Sequence, residues 1–228
     1  MHKLITRLVI AILGYIPLVP VLAQSTAIVG DAYLSFPAVK GWEIVAPSSP
    51  SYMEGERWTA PSNRLLAVYE ALDQGKDNSL RQQRKMAVQS YRKAEHVNVS
   101  LSAFQSLRNQ FQINNKSLID IAKKNADMHH PPGIKGVPER DIKVGDVQVI
   151  EMFNDKSDWS ISLLAIVTYR MEENGSSHEV PLIMSTSVLL LKGKILFLYV
   201  YSALDAPNSR KWVKSQTAAW LSEAYNKN

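Results

Sequence analysis

The stretch VPLIMSTSVLLLKGKILFLYVYSAL, from Val180 to Leu204, limits what this chain can fold into more than any other. Two apolar runs, Val188 to Leu191 and Ile195 to Val200, flank Lys192-Gly193-Lys194, and a glycine between two lysines suits a tight, solvent-facing hairpin turn. The lysines also exclude a membrane span here, because a spanning helix needs about 20 apolar residues and the charges cut the run into strand-length pieces. In the second strand Ile195, Phe197, Tyr199 and Tyr201 share one face, and Leu196, Leu198 and Val200 share the other. Both faces are apolar. Such a strand needs cover on both sides and belongs at the centre of a sheet with layers above and below it.

Around this hairpin the pattern gives a four-stranded antiparallel meander. Its strands are Val147 to Phe153, Trp159 to Arg170, Val180 to Leu191 and Ile195 to Tyr201, joined by turns at Asn154-Asp155-Lys156, Glu173-Asn174-Gly175 and Lys192-Gly193-Lys194. A closing helix follows Asp205 and Pro207, with Trp212, Val213, Ala219, Trp220, Leu221 and Ala224 on its apolar side. Upstream, short strands are expected at Tyr33 to Phe36, Trp42 to Val45, Gly55 to Ala60 and Arg64 to Ala71, with a Ser/Pro loop over Ala46 to Ser51. Gln24 to Asp31 reads as a loose leader. Residues 79–95 are ambiguous. Ser79 and Gln82 make a capping box, yet the apolar positions form no helical stripe, and Met86 to Tyr91 suits a strand returning along Arg64 to Ala71. Phe104, Leu107 and Phe111 then line one face of a helix, and a second helix is expected after Ser117. His129 to Gly145, with three prolines and three glycines, reads as a long loop.

The first 23 residues, MHKLITRLVIAILGYIPLVPVLA, combine a basic start at Lys3 and Arg7, an acid-free apolar run and the ending Val21-Leu22-Ala23. This is the anatomy of a secretory signal cleaved after Ala23, and it implies a periplasmic or secreted protein whose residues 24–228 form a single α+β domain. The chain has no cysteine, which removes thiol catalysis, redox exchange and thiolate metal sites. An exported domain of this length can be held by its core without disulfides. Net charge is +5, of which Lys3 and Arg7 account for two. Acids and bases are interspersed along the remainder, against a nucleic-acid-binding role.

One stretch concentrates basic residues: Lys76, Arg81, Arg84, Lys85, Arg92 and Lys93. Arg81, Arg84, Lys85, Arg92 and Lys93 are the candidate contacts to a protein or an anionic membrane surface; as a structural feature the same residues would protect a strand edge or form a solvated helix face. A second constellation lies in the loop 127–146, where Asp127, His129, His130, Glu139, Arg140 and Asp141 gather, with His129, His130 and Arg140 the candidate ligand contacts. Adjacent histidines point apart in an extended chain, so a metal would need a further ligand such as His178; no metal site and no cofactor is expected. The chain carries no HExxH, no GxSxG, no glycine-rich phosphate loop and no EF-hand, and no small-molecule substrate is identifiable. Trp58 and Trp159 are possible surface anchors.

Strands first, then helices, then a four-stranded meander and a closing helix make an antiparallel sheet with helices on both faces. With the run VLLLKGKILFLYVYS leading into a Trp-bearing helix, this order resembles the PsbP-like α/β/α sandwich superfamily, the fold of the extrinsic photosystem II protein, a Ran-binding nuclear import factor and several exported bacterial proteins. The resemblance lies in topology and transfers no site residue. It implies a non-enzymatic accessory or partner-binding protein. The alternative is a ligand-binding protein or enzyme with its site under the 127–146 loop.

Overall fold

The computed structural model describes residues 24–72, 84–113, 140–153, 158–173 and 176–228. The signal segment, the helix expected after Ser117, Arg81, His129 and His130 lie outside the described residues. Nine strands and three α-helices are described, in the order β1 Gln24–Val29, β2 Ala32–Pro37, β3 Trp42–Ile44, α1 Pro50–Arg57, β4 Asn63–Ala71, β5 Lys85–Tyr91, α2 Leu101–Ile113, β6 Arg140–Phe153, β7 Ser160–Glu173, β8 Ser176–Leu191, β9 Lys194–Ala203 and α3 Ser209–Lys227. A short 3-10 turn, Arg92–Ala94, follows β5.

Seven strands form one antiparallel sheet in the order β3-β4-β5-β9-β8-β7-β6, and β1 and β2 pair as a separate hairpin. β9 is therefore the middle strand, as its two apolar faces require. Leu196, Leu198 and Val200 point into the main core, where Val213, Trp220, Leu221 and Ala224 of α3 and Leu34 and Phe36 of β2 meet them. Trp220 lies between Phe36 and Tyr69, its ring 6.3 Å from each. Ser162, Ser185 and Ser187 of the sheet and Thr217 of α3 are buried, with Ser162 and Ser187 bonded to each other and Ser185 bonded to Thr217. These small hydroxyl side chains let the helix approach and satisfy one another in a place that water does not reach.

On the opposite face Ile195 and Phe197 pack with Phe104 and Phe111 of α2, and Val68 and Leu65 lie under α1. The protein is thus α+β, with an antiparallel sheet between helices, as the sequence indicates. β5 pairs with β4 on one side and β9 on the other, so the ambiguous segment is a strand over residues 85–91. It is an interior strand, and its basic residues do not guard an edge.

Several expectations are corrected. Gln24 to Asp31 is not a loose leader: β1 pairs with β2 from Gln24↔Pro37 to Val29↔Ala32, burying Val29 on the core side. Gly55 to Ala60 is not a strand. Pro50–Arg57 is helical because Ser49 caps it, accepting from the Tyr52 N–H at 3.2 Å, and Pro50 fits the first helical turn. Gly55 is what lets α1 lie on β4, since a Cβ there would come within 2.9 Å of Val68 Cγ2. The strand expected from Val147 begins at Arg140, so Arg140, Asp141 and Gly145 belong to β6 and not to a loop; breaks in register at Val144/Val147 and Val149/Glu151 absorb the irregular sequence. α3 starts at Ser209 behind Asn208, and it buries Thr217 where Ala219 was expected, leaving Ala219 exposed.

Candidate interaction surface

The strand ends Tyr91, Lys194, Leu191 and Asn63 lie at one end of the sheet, where the β1–β2, β8–β9 and 92–99 connections are locked together. The β8–β9 turn places Lys192 at φ 46° and Gly193 at φ 78°, the left-handed pair of a tight hairpin turn. Its solvent-facing character holds for Lys192 but not for Lys194, whose side chain is 1% exposed and forms an ion pair with Asp31 in the β1–β2 turn. Burial of this ammonium is tolerated because the carboxylate of Asp31, whose own side chain is exposed, pairs with it. Lys192 Nζ donates to the Tyr33 carbonyl at 2.9 Å, and the Val99 N–H donates to the Gly193 carbonyl at 2.8 Å. Arg64 donates to Glu95 Oε1 at 2.8 Å and to the Ile28 carbonyl at 2.7 Å.

The carboxylates here are engaged. The Lys194 side chain, the Asp31 backbone and Asn98 hold the Asp31 carboxyl below its usual range. Burial pushes the Glu95 carboxyl up, but hydrogen bonds from Ser90 and Arg64 and the charges of Arg64 and Arg92 together bring it below its usual range. Around them, Ile28 and Tyr33 stand directly opposite each other on the outer face of the β1–β2 hairpin, 61% and 58% exposed. Tyr91, Val97 and Leu101 are exposed at the same end, as are the cations Lys192, Arg92 and Lys93.

The basic residues singled out in the sequence are divided by the fold. Arg92 and Lys93 sit on this rim, and Arg92 Nε donates to the Asn63 carbonyl at 2.8 Å. Arg84 and Lys85 lie at the far end of β5 and are used internally. The Arg84 guanidinium lies 4.5 Å from the ring centre of Trp212, and Lys85 bonds Glu54 of α1 at 2.8 Å, with Glu70 3.9 Å away. Arg140 opens β6, with register partner Glu173, while His178 is exposed on β8. Neither tryptophan considered as an anchor is free. Trp58 meets Tyr169 edge-on at 5.0 Å, and Trp159 stacks on Tyr225 at 4.8 Å, so both tie helices to the sheet. Burial raises the Tyr169 hydroxyl pKa to about 12, consistent with a packing role.

Among known structures the likeness is to the Mog1 and PsbP folds. A mutant of the protein Mog1 aligns over 90% of this chain and 94% of its own, at 8% identity and a TM-score of 0.42. The Ran-binding protein Mog1p of Saccharomyces cerevisiae gives the same coverage and score at 7% identity. The cyanobacterial PsbP of Synechocystis sp. PCC 6803 aligns over 91% of this chain and 96% of its own, at 12% identity and a TM-score of 0.32. No protein-family model matches the sequence, and neither does any curated protein.

Away from the rim, an open groove of about 860 Å³ runs between β6 and α3, lined by Glu151, Phe153, Arg210, Lys211, Lys214 and Ser215. Its charges are largely spent on each other: Arg210 and Lys214 both bond the Glu151 carboxylate, at 2.8 and 3.1 Å. No group of three metal-ligating side chains occurs among the described residues. Sequence reasoning missed Ile28 and Tyr33 as surface residues, while Lys192 was read as solvent-facing. The alternation Ser25, Thr26, Ala27, Ile28 held the signal, because in a paired strand Ile28 must point away from buried Val29.

Proposed function

We propose that this chain is an exported accessory protein that works by docking on a partner through the end of the sheet where the β1–β2, β8–β9 and 92–99 connections meet. The observation that carries this reading is the rim itself: exposed Ile28 and Tyr33 beside exposed Lys192, Arg92 and Lys93, on turns braced by internal ion pairs. Apolar side chains held out on a rigid frame lose little entropy on binding, and flanking cations attract and orient an anionic partner. Export rests on the basic, apolar and small-residue order of residues 1–23.

Both parts are testable in the host. Mass spectrometry of the secreted or periplasmic material is expected to find Gln24 at the N-terminus; an intact Met1 on that material would overturn the cleavage. A photocrosslinker at position 33 is expected to trap a defined partner, in an amount reduced by Lys93→Gln with Lys192→Gln and unchanged by His129→Ala with His130→Ala. The reverse pattern would place the site under the 127–146 segment instead.

A further inference from the structure

Of the eight large apolar side chains that are exposed among the described residues, Ile28, Tyr33, Tyr91, Val97 and Leu101 lie at the rim end of the sheet. They are carried on separate turns and a helix start. Ile28 and Tyr33 flank one turn, Tyr91 and Val97 flank the 3-10 turn, and Leu101 opens α2. A peptide strand or a helix would need a continuous channel with pockets. Separated tips carried on neighbouring turns suit a broad, deformable, chemically uniform surface that every tip can reach independently.

The charge around the tips narrows the choice. Among the described residues, the acids of this end are held by cations or donors: Asp31 by Lys194 and Asn98, Glu95 by Arg64 and Ser90, and Asp158 by Arg108 at 3.1 Å. Lys192, Arg92 and Lys93 stand exposed beside the apolar tips, while His96 is exposed between them. The outward charge of the described residues is therefore positive. Tyrosine and isoleucine tips with cations alongside match the layering of a bilayer surface, where apolar and aromatic groups enter the interfacial zone and cations remain among the headgroups.

We propose that this end of the sheet docks on an anionic lipid surface, with Ile28 and Tyr33 entering the headgroup–acyl boundary and Lys192, Arg92 and Lys93 facing lipid phosphates. This rests on the docking reading above and names its partner. The binding is reversible and weak per site, and it is steeply dependent on ionic strength because exposed charges are screened over about 8 Å at physiological salt.

The absence of cysteine makes the test clean, since one introduced thiol is the only labelling site. The protein is purified as its host delivers it, so that whatever N-terminus it carries is common to all variants. Tyr33→Cys and, at the first turn of α3 toward the opposite end of the sheet, Lys211→Cys are each labelled with an environment-sensitive dye and mixed with phosphatidylglycerol-containing or pure phosphatidylcholine vesicles. Expected are a blue shift at position 33 with anionic vesicles, none at position 211, and loss of binding as salt rises. Lys93→Gln with Lys192→Gln should weaken partitioning about 25-fold, since each cation near an anionic surface contributes about fivefold. Arg170→Gln with Lys211→Gln removes the same charge elsewhere and should change it little. Equal loss with the two pairs, or equal dye shifts at the two positions, would overturn the assignment. Vesicles that bind nothing, while Lys93→Gln with Lys192→Gln still releases the crosslinked partner in the host, would overturn the lipid assignment and leave docking through this end standing.

Discussion

Gly30 sits at φ 61°, and a Cβ built there would lie 2.0 Å from the Glu95 carbonyl oxygen and 3.0 Å from Lys194 Nζ. Only glycine can hold this turn against the 92–99 connection. Gly30→Ala is therefore expected to destabilise the fold by more than about 1 kcal/mol in urea unfolding, and a neutral result would show that the turns are not in contact. The two carboxylates nearby add a pH dependence. Asp31 and Glu95 titrate below their ordinary values of 3.8 and 4.5 in the folded protein. Each stabilises the fold above its ordinary value and loses that contribution as pH falls through the lowered one. Asp31→Asn with Glu95→Gln should lower the urea midpoint at pH 6 and flatten its decline between pH 4.5 and pH 2; an unchanged acid limb would mean that neither carboxylate is engaged. None of this was legible in sequence, because Lys194 is buried by a hairpin tip more than 150 residues upstream. A lysine beside a turn glycine reads as solvated until that partner is known.

Strands were read more surely than short helices, for a physical reason. The β8–β9 hairpin announces itself through a period of two on both faces, and β6 to β9 follow because tight turns leave sequential neighbours antiparallel. α1 has only eight residues and buries none of them fully, so it leaves no apolar stripe, and its one legible mark is Ser49-Pro50 at the start. The central hairpin yields an element-level prediction. Leu198 is fully buried under α3, and Phe197 packs against Phe104 on the opposite side. Leu198→Ala and Phe197→Ala should each cost about 2 to 5 kcal/mol. A cost under about 1 kcal/mol for either would mean that its face is uncovered and the three-layer arrangement wrong.

At the scale of the molecule, the layers are fastened by contacts between distant parts of the chain. The β1–β2 hairpin belongs to a different sheet from the seven strands, and it is held to them by the turn cluster at one place and by α3 at another. Asn228, following α3, accepts from the Ser35 N–H at 3.0 Å and donates to the Ser35 and Ala224 carbonyls, each at 2.8 Å. A polar residue at the end of a helix carries no sequence signal for such a role, and the order of layers was readable while this fastening was not. Its removal separates two pictures of the fold. Asn228→Ala leaves both backbone groups of Ser35 to find water, a loss of about 1 to 2 kcal/mol, and leaves the core of Trp220, Leu198 and Phe36 in place. If the hairpin is a separately opening unit, hydrogen exchange should speed up in β1 and β2 by about tenfold while amides of β9, the middle strand, keep the rate of global unfolding. The rim carrying Ile28 and Tyr33 would then loosen without the sheet, and docking would weaken in a protein that still folds. Uniform acceleration across β2 and β9 would instead make the hairpin part of one cooperative body, its exposed tips as rigid as the sheet behind them.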